Sequence, residues 1–219
     1  MHFFRSCRVL AVSGSLLALA GAPALSAPSP PTGTGRPVAK VDRVRGEARV
    51  ERGGASSLLK VGRRLRRSDS LKTGAGGRLS LTFRDGSRLA IGEHTVLVIG
   101  DYLPERGRKS GALILDLRKG AIRLAAAEPA KAPAKRVEVR TQAGRITARA
   151  MDVWSGPIDG KVGVLLMKGR VDVRNDAGSV VLHKKRLGTM VSHSASAPEK
   201  AVSWPPEKVK QALLSVSFK

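Results

Sequence analysis

Leu79-Ser80-Leu81-Thr82-Phe83-Arg84-Asp85-Gly86-Ser87-Arg88-Leu89-Ala90-Ile91 is the stretch whose reading decides the fold. Leu79, Leu81 and Phe83 alternate with Ser80, Thr82 and Arg84, the period of a strand with one buried face. Asp85-Gly86 then supplies a turn, because Gly reaches positive φ at no steric cost and Asp bonds its own backbone. Leu89 and Ile91 resume the apolar rhythm. A two-residue Asp-Gly loop would pair Phe83 with Arg88 and Leu81 with Ala90, which would point Leu89 and Ile91 at solvent. Pairing Phe83 with Leu89 and Leu81 with Ile91 keeps all five apolar residues on one face, and it needs an odd-length loop or a bulge. The expectation is therefore a hairpin with Asp85, Gly86 and Ser87 as its structural turn.

The same texture runs outward from this hairpin in both directions. A glycine followed by a short alternating run recurs at Gly46-Glu47-Ala48-Arg49-Val50, Gly77-Arg78-Leu79-Ser80-Leu81, Gly120-Ala121-Ile122-Arg123-Leu124, Gly144-Arg145-Ile146-Thr147-Ala148 and Gly169-Arg170-Val171-Asp172-Val173. Such glycines mark bends where strands turn corners. Repeated along a chain, they describe short strands curling into a sandwich or roll. Among the expected strands are Ala39–Arg45, Glu47–Glu51, Leu58–Val61, Gly144–Ala150, Met151–Ser155, Lys161–Met167 and Gly169–Asn175. No stretch between residues 38 and 200 carries sustained helical periodicity. Val164-Leu165-Leu166-Met167 and Leu113-Ile114-Leu115 are continuous apolar runs and are expected to be buried on both faces.

The ends of the chain read differently. Residues 1–26 have the form of a secretory signal peptide: Arg5 and Arg8, then an apolar run from Val9 to Ala20, then small residues at Ala22, Ala24 and Ser26. Cleavage after Ser26 or after Ala24 fits the pattern. The apolar run is short beside the roughly 20 residues of a membrane span. Residues 27–37 are a flexible leader rich in Pro, Gly, Ser and Thr. A β domain is expected over 38–193, in lobes 38–124 and 137–193 joined by a connector at 125–136, where prolines argue against a helix. After a loose linker, residues 203–219 form a C-terminal helix or tail. Ser203 is its candidate cap, and Val209, Ala212, Leu213 and Val216 share one face, with Trp204 as an anchor.

Composition narrows the function. The 219 residues carry 40 Lys and Arg against 17 Asp and Glu, a net charge of +23, and the expected signal peptide accounts for only two of those positive charges. Such a charge implies anionic partners. Phe83, Tyr102, Trp154, Trp204 and Phe218 are the only aromatics past the leader, too few for a base-stacking platform, so no nucleic acid is expected. Cys7 is the one cysteine and lies in the expected signal peptide, which leaves the mature chain without disulfides or thiol chemistry. The location expected is periplasmic or secreted, in a bacterial envelope.

A search for chemistry returns little. His94, His183 and His193 lack metal-ligand spacing, no serine sits in a nucleophile elbow, and Asp69, Asp85, Asp101, Asp159 and Asp176 flank turns. No metal, cofactor or catalytic residue is assigned. The basic clusters are what remains. Arg63, Arg64, Arg66 and Arg67 crowd around Leu65, and Lys184, Lys185 and Arg186 form a second group. Guanidinium clusters chelate phosphate or carboxylate in bidentate fashion, so these seven residues are the candidate anion- or partner-binding set, the alternative being solvated charges that keep an exported protein soluble.

Taken in order, several segments resemble the FecR-type periplasmic domain family. They are Val41 through Val50 around Gly46, Val61-Gly62-Arg63-Arg64-Leu65 leading to Asp69-Ser70-Leu71-Lys72-Thr73-Gly74, the Phe83–Leu89 hairpin followed by Thr95-Val96-Leu97-Val98-Ile99, Val139-Arg140-Thr141-Gln142-Ala143-Gly144, Asp152-Val153-Trp154, and Gly169-Arg170-Val171-Asp172-Val173-Arg174-Asn175. The resemblance implies an all-β roll or sandwich of two related lobes, and a role in envelope regulation that receives a signal from an outer-membrane receptor. The sequence departs from that pattern in two respects. It reads without a cytoplasmic head or membrane span, and it has Arg149-Ala150-Met151 where relatives have Arg-Gly-Thr. Together these readings lead us to expect a non-enzymatic, exported binding or scaffold module whose partner is an envelope protein. The alternative is direct binding of an anionic cell-wall polymer or lipid head, without signalling.

Overall fold

A computed structural model of the chain describes residues 35–103, 112–126 and 136–218, which lie in one compact unit spanning Pro31–Lys219. The expected signal peptide, most of the expected leader and most of the connector fall outside the described residues. Described in chain order, the strands are β1 (Ala39–Arg45), β2 (Ala48–Arg52), β3 (Ala55–Leu58), β4 (Arg64–Leu65), β5 (Ser70–Thr73), β6 (Arg78–Phe83), β7 (Arg88–Ile91), β8 (Val96–Leu103), β9 (Ala112–Lys119), β10 (Ile122–Ala125), β11 (Arg136–Thr141), β12 (Gly144–Ile158), β13 (Lys161–Asn175), β14 (Gly178–Leu182), β15 (Leu187–Val191) and β16 (Val202–Ser203). One helix, α1 (Pro206–Leu214), follows. The fold is all-β with a short C-terminal helix.

The long antiparallel hairpin β12–β13 is the spine. The first part of β12, up to Ala148, pairs with β11, and its later part, from Asp152, pairs with β10. Two wings grow from that division. The first runs β11-β9-β8-β5-β2-β3, and the second runs β10-β7-β6-β1-β4. β14 and β15 pair with opposite ends of β13. The β9–β11 pair is parallel and the other pairs are antiparallel. Expected breaks at Ala150/Met151 and Met167/Gly169 are bulges inside single strands, with Met151 opposite Gly169. An extra residue bends a strand without ending it, and here it carries the spine from one wing to the other.

Alternation supplies the core. β6 buries Leu79, Leu81 and Phe83, β7 buries Leu89 and Ile91, and β9 buries Leu113, Leu115 and Leu117. These join Val137, Val139, Ile146, Val153, Val164, Val171 and Val173 in one apolar cluster drawn from both wings. Each fully buried Leu or Val contributes about 1.5–3 kcal/mol. Val164, Leu165 and Leu166 are buried as expected, whereas Met167 and Ile114, expected to be buried with their runs, are only partly buried.

The deciding hairpin keeps its five apolar residues on one face, but its register differs from the expectation. Leu81 pairs with Leu89 and Leu79 with Ile91. Phe83 N–H donates to the Ser87 carbonyl at 2.8 Å and Gly86 N–H to the Phe83 carbonyl at 3.0 Å. The loop is therefore Arg84-Asp85-Gly86, and Ser87 closes it as the partner of Phe83. Gly86, at φ 83°, takes the left-handed position that ends a three-residue hairpin loop. The Asp85 carboxylate accepts from Ser87 N–H and Oγ–H at 3.2 and 2.7 Å, which draws Ser87 into the closing pair.

Three further expectations need correction. The strand expected at Leu58–Val61 lies at Ala55–Leu58, because the turn at Gly53-Gly54 returns the chain at once along β2. β4, β5 and β16 were not expected. They are only two to four residues long, and β4 and β16 hold too few positions to show a period. Ser203 belongs to β16, and the helix begins after Pro205 with no side-chain cap.

Glycine allows the chain to change wings. At Gly120, between β9 and β10, φ is 88° and an added Cβ would overlap Thr95. Thr95 instead accepts from Ala121 N–H at 3.1 Å, while Thr73 Oγ–H donates to the Gly92 carbonyl at 2.6 Å and accepts from Thr95 N–H at 2.9 Å. Two buried threonines thus satisfy the backbone where strands cross over.

The outward face of the first wing carries paired charges. Arg140 Nε donates to buried Glu138 at 2.8 Å and Arg136 adds a longer contact at 3.3 Å. The Arg140 hydrogen bond, reinforced by the nearby guanidinium charges, holds the Glu138 carboxyl below its ordinary value of 4.5. Its contribution to stability is complete above that value and is lost as the pH falls through the lowered one. The stability of Glu138→Gln is accordingly expected to depend less on pH in the acid range than that of the parent. Urea midpoints measured from neutral pH downward test this, and parallel curves would contradict it.

Candidate functional site

Alternation fixes which side chains leave the second wing on its outer face. Lys40 on β1 stands opposite Arg64 on β4 and Thr82 on β6, and Thr82 stands opposite Arg88 on β7. Neighbouring strands lie about 4.8 Å apart, so these residues form one row across four strands. Arg36 precedes β1, and Arg84 opens the hairpin loop, its N–H donating to the Val38 carbonyl. Arg36, Lys40, Arg64 and Arg84 line a groove of about 600 Å³ whose floor includes Pro37, Ala39 and Phe83. Asp42 is the groove's carboxylate, and it accepts from Thr82 Oγ–H at 2.6 Å. The four cations are exposed, and none makes an ion pair among the described residues. Placing Lys40 directly opposite Arg64 is destabilising for the bare sheet, and a bound anion would relieve it.

The first basic cluster does not act as one clamp. Its backbone wraps around Asp69, a fully buried carboxylate that accepts Arg66 N–H at 2.8 Å and both arms of Arg52 at 2.6 Å. Around that anchor the side chains diverge. Leu65 is buried, Arg64 turns out to the groove, Arg67 pairs with Asp101 at 2.6 Å, and Arg63 has its Nε buried without an acceptor. Of the second cluster, Lys184, Lys185 and Arg186 are all exposed in the turn between β14 and β15. Arg186 faces a second depression, between α1 and the outer surface of β7 and β10, where Ala90 and Arg123 also lie.

Ser80 and Thr82 share a face of β6, and Arg88 and Ala90 share a face of β7. Arg64 and Arg186, one from each cluster, therefore stand over the same outer surface of the second wing. Asp85, Gly86 and Ser87 build the hairpin end beside the groove. Arg36, Lys40, Arg84 and Arg88 were not singled out from sequence. Each stands alone or near-alone along the chain, and what unites them is strand register. The alternation in β1 already turned Lys40 outward, but its neighbour Arg64 was out of view.

No group of three or more His, Cys, Asp or Glu among the described residues is placed to hold a metal ion. His94 sits in a turn at φ 49°, and the His193 ring contacts Ser196 Oγ. No helix among the described residues is long and apolar enough to cross a membrane.

Residues 69–172 match the model of the family described as FecR protein. No curated protein matches the chain. Two crystal structures of a candidate anti-sigma factor from Parabacteroides distasonis ATCC 8503 share the fold at 16% sequence identity and a TM-score of 0.51. The match covers 66% of this chain and 64% and 63% of those chains, so it spans less than two thirds of their length.

Proposed function

We propose, from the premise that the chain carries a FecR domain over residues 69–172, that this protein is a non-enzymatic binding module of envelope regulation, exported to the periplasm. It receives an acidic surface of a partner protein in the groove of Arg36, Lys40, Arg64 and Arg84. The observation that carries this reading is the row in which Lys40 and Arg64 face each other without an ion pair among the described residues, in a groove of four cations where the carboxylate of Asp42 accepts from Thr82. An uncompensated row of cations on a rigid sheet is preorganised for anions, and complementary charge steers encounter and sets register. The half-buried Pro37 adds an apolar contact that favours a protein surface over a diffuse polymer. The likeness to the Parabacteroides structures supports the fold that presents this groove.

In-cell cross-linking of the full chain and of Lys40→Glu/Arg64→Glu/Arg84→Glu, with a high-salt wash before mass spectrometry, tests this. A protein captured by the parent and lost by about tenfold or more in the triple variant is the expected result. Equal capture by both would place the partner elsewhere. Recovery with cell wall or lipid alone, abolished by the wash, would move the function to direct polymer binding. The substitutions lie at exposed positions and exchange one facing like-charge pair for another, so the melting temperature is expected to change little.

A further inference from the structure

The second depression carries an inference independent of the basic groove. α1 buries Val209, Ala212 and, just past its end, Val216 in a cluster with Trp154 and Ile158 of β12, Leu165 of β13 and Trp204. Two apolar residues at its end are less covered: Leu213 packs on that cluster but is only half-buried, and Leu214 is 43% exposed. They line a trough of about 460 Å³ together with the partly buried Ala90 of β7. This is the size of a small-molecule site, and apolar walls with a few polar groups are what such sites present.

Cations stand at its rim. Arg123 is already satisfied by Asp152, which takes both guanidinium arms at 2.8 and 2.7 Å. Lys210 has only a distant contact with Glu207 at 3.7 Å, and Arg186 has no carboxylate partner among the described residues. Arg186 is fixed in place by its backbone: its N–H donates to the Leu166 carbonyl at 2.8 Å and its carbonyl accepts Trp204 N–H at 2.9 Å. It holds φ at 70°, a left-handed conformation that costs a residue with a Cβ. An arginine whose backbone is anchored beside a partly exposed apolar wall joins a positive charge to a surface that gains by losing water.

We infer that this trough is a binding site for a single-chain anionic amphiphile. The acyl chain lies against Ala90, Leu213 and Leu214, and the phosphate or carboxylate head lies on Arg186 and Lys210. Charge complementarity selects an anionic head over a neutral or cationic one, and the apolar wall selects a chain over a bare anion.

Calorimetric titration of the full chain with octyl, decyl and dodecyl phosphate, each kept monomeric, tests the assignment. One molecule is expected to bind, tightening by up to about fourfold for each added methylene that is buried. Arg186→Gly is the informative variant, because glycine accepts the left-handed backbone while the cation is lost. Its melting temperature is expected to hold or rise, and its affinity for dodecyl phosphate to fall about tenfold or more. Lys210→Gln should act in the same direction. Inorganic phosphate binding as well as dodecyl phosphate would overturn the proposal, as would dodecyl maltoside doing so. Association only with phosphatidylglycerol-containing vesicles, unaffected by Arg186→Gly, would overturn it in favour of general attraction to a membrane.

Discussion

Replacing Arg52 with Met is expected to cost about 3–5 kcal/mol of folding stability, measured by urea unfolding at neutral pH. Asp69 has no solvent exposure, and the Arg52 side chain is only 14% exposed. Their bidentate contact at 2.6 Å is joined by Arg66 N–H. Met keeps the length and apolar stem of Arg52 but strands a buried carboxylate with a single backbone donor. The cost is that of an uncompensated charge rather than of a lost attraction. Arg52→Met/Asp69→Asn should recover most of the loss, since the amide is neutral and its oxygen still accepts Arg66 N–H. A single-variant loss below about 1 kcal/mol would show that water reaches the carboxylate and that the pair is a surface bridge of ordinary weight. The pair also bears on the groove, because Asp69 organises the Arg63–Arg67 backbone and so positions Arg64. Arg52→Met is therefore expected to blur the groove without touching it.

That pair illustrates what the amino-acid order conveyed and what it withheld. Local rules acted within a few residues. Leu79, Leu81 and Phe83 alternate, Asp85-Gly86 turns, and Gly46, Gly120 and Gly169 each mark a place where the chain bends or crosses between wings. Together with the order of family-like segments, this was enough for an all-β fold with a short helix at its end. The hairpin register was missed by one pairing step, because it depends on Gly86 rather than Ser87 taking the left-handed position. β12 and β13 were each read as two strands because a bulge and a break look the same along a chain. The functional surface was harder still. Arg52 and Asp69 are 17 residues apart, and Lys40 meets Arg64 only through the β1–β4 register. The basic clusters drew attention because they are adjacent in sequence, yet adjacency on a loop lets side chains diverge. Arg64 and Arg186 reach the same face as single members of separate groups, a convergence set by topology and not by composition.

The second large effect is expected at the other end of the chain: Trp204→Ala should cost about 3–5 kcal/mol. Trp204 is 3% exposed and meets Trp154 edge to face, with centroids 6.1 Å apart and planes at 68°. Glycine makes room for both rings, since an added Cβ at Gly188 or Gly163 would strike Trp204, and one at Gly156 would crowd Trp154. Gly188→Ala should therefore reach the same end from the opposite side, by expelling the ring. Lys208 reinforces the seat, with its Nζ 4.8 Å from the Trp204 ring centroid and 2.7 Å from Asp159. Without this anchor α1 has nine residues and no side-chain cap, too short to hold as a helix in water. Amide hydrogen exchange should show α1 opening in Trp204→Ala while β6 and β9 remain protected. Uniform loss of protection would mean that the helix is part of the global cooperative unit rather than a strap upon it. The distinction separates the two proposed sites. The trough has α1 as a wall and should lose dodecyl phosphate binding with the helix, whereas the groove of Lys40, Arg64 and Arg84 rests on β1, β4 and the β6–β7 hairpin and should keep its acidic partner.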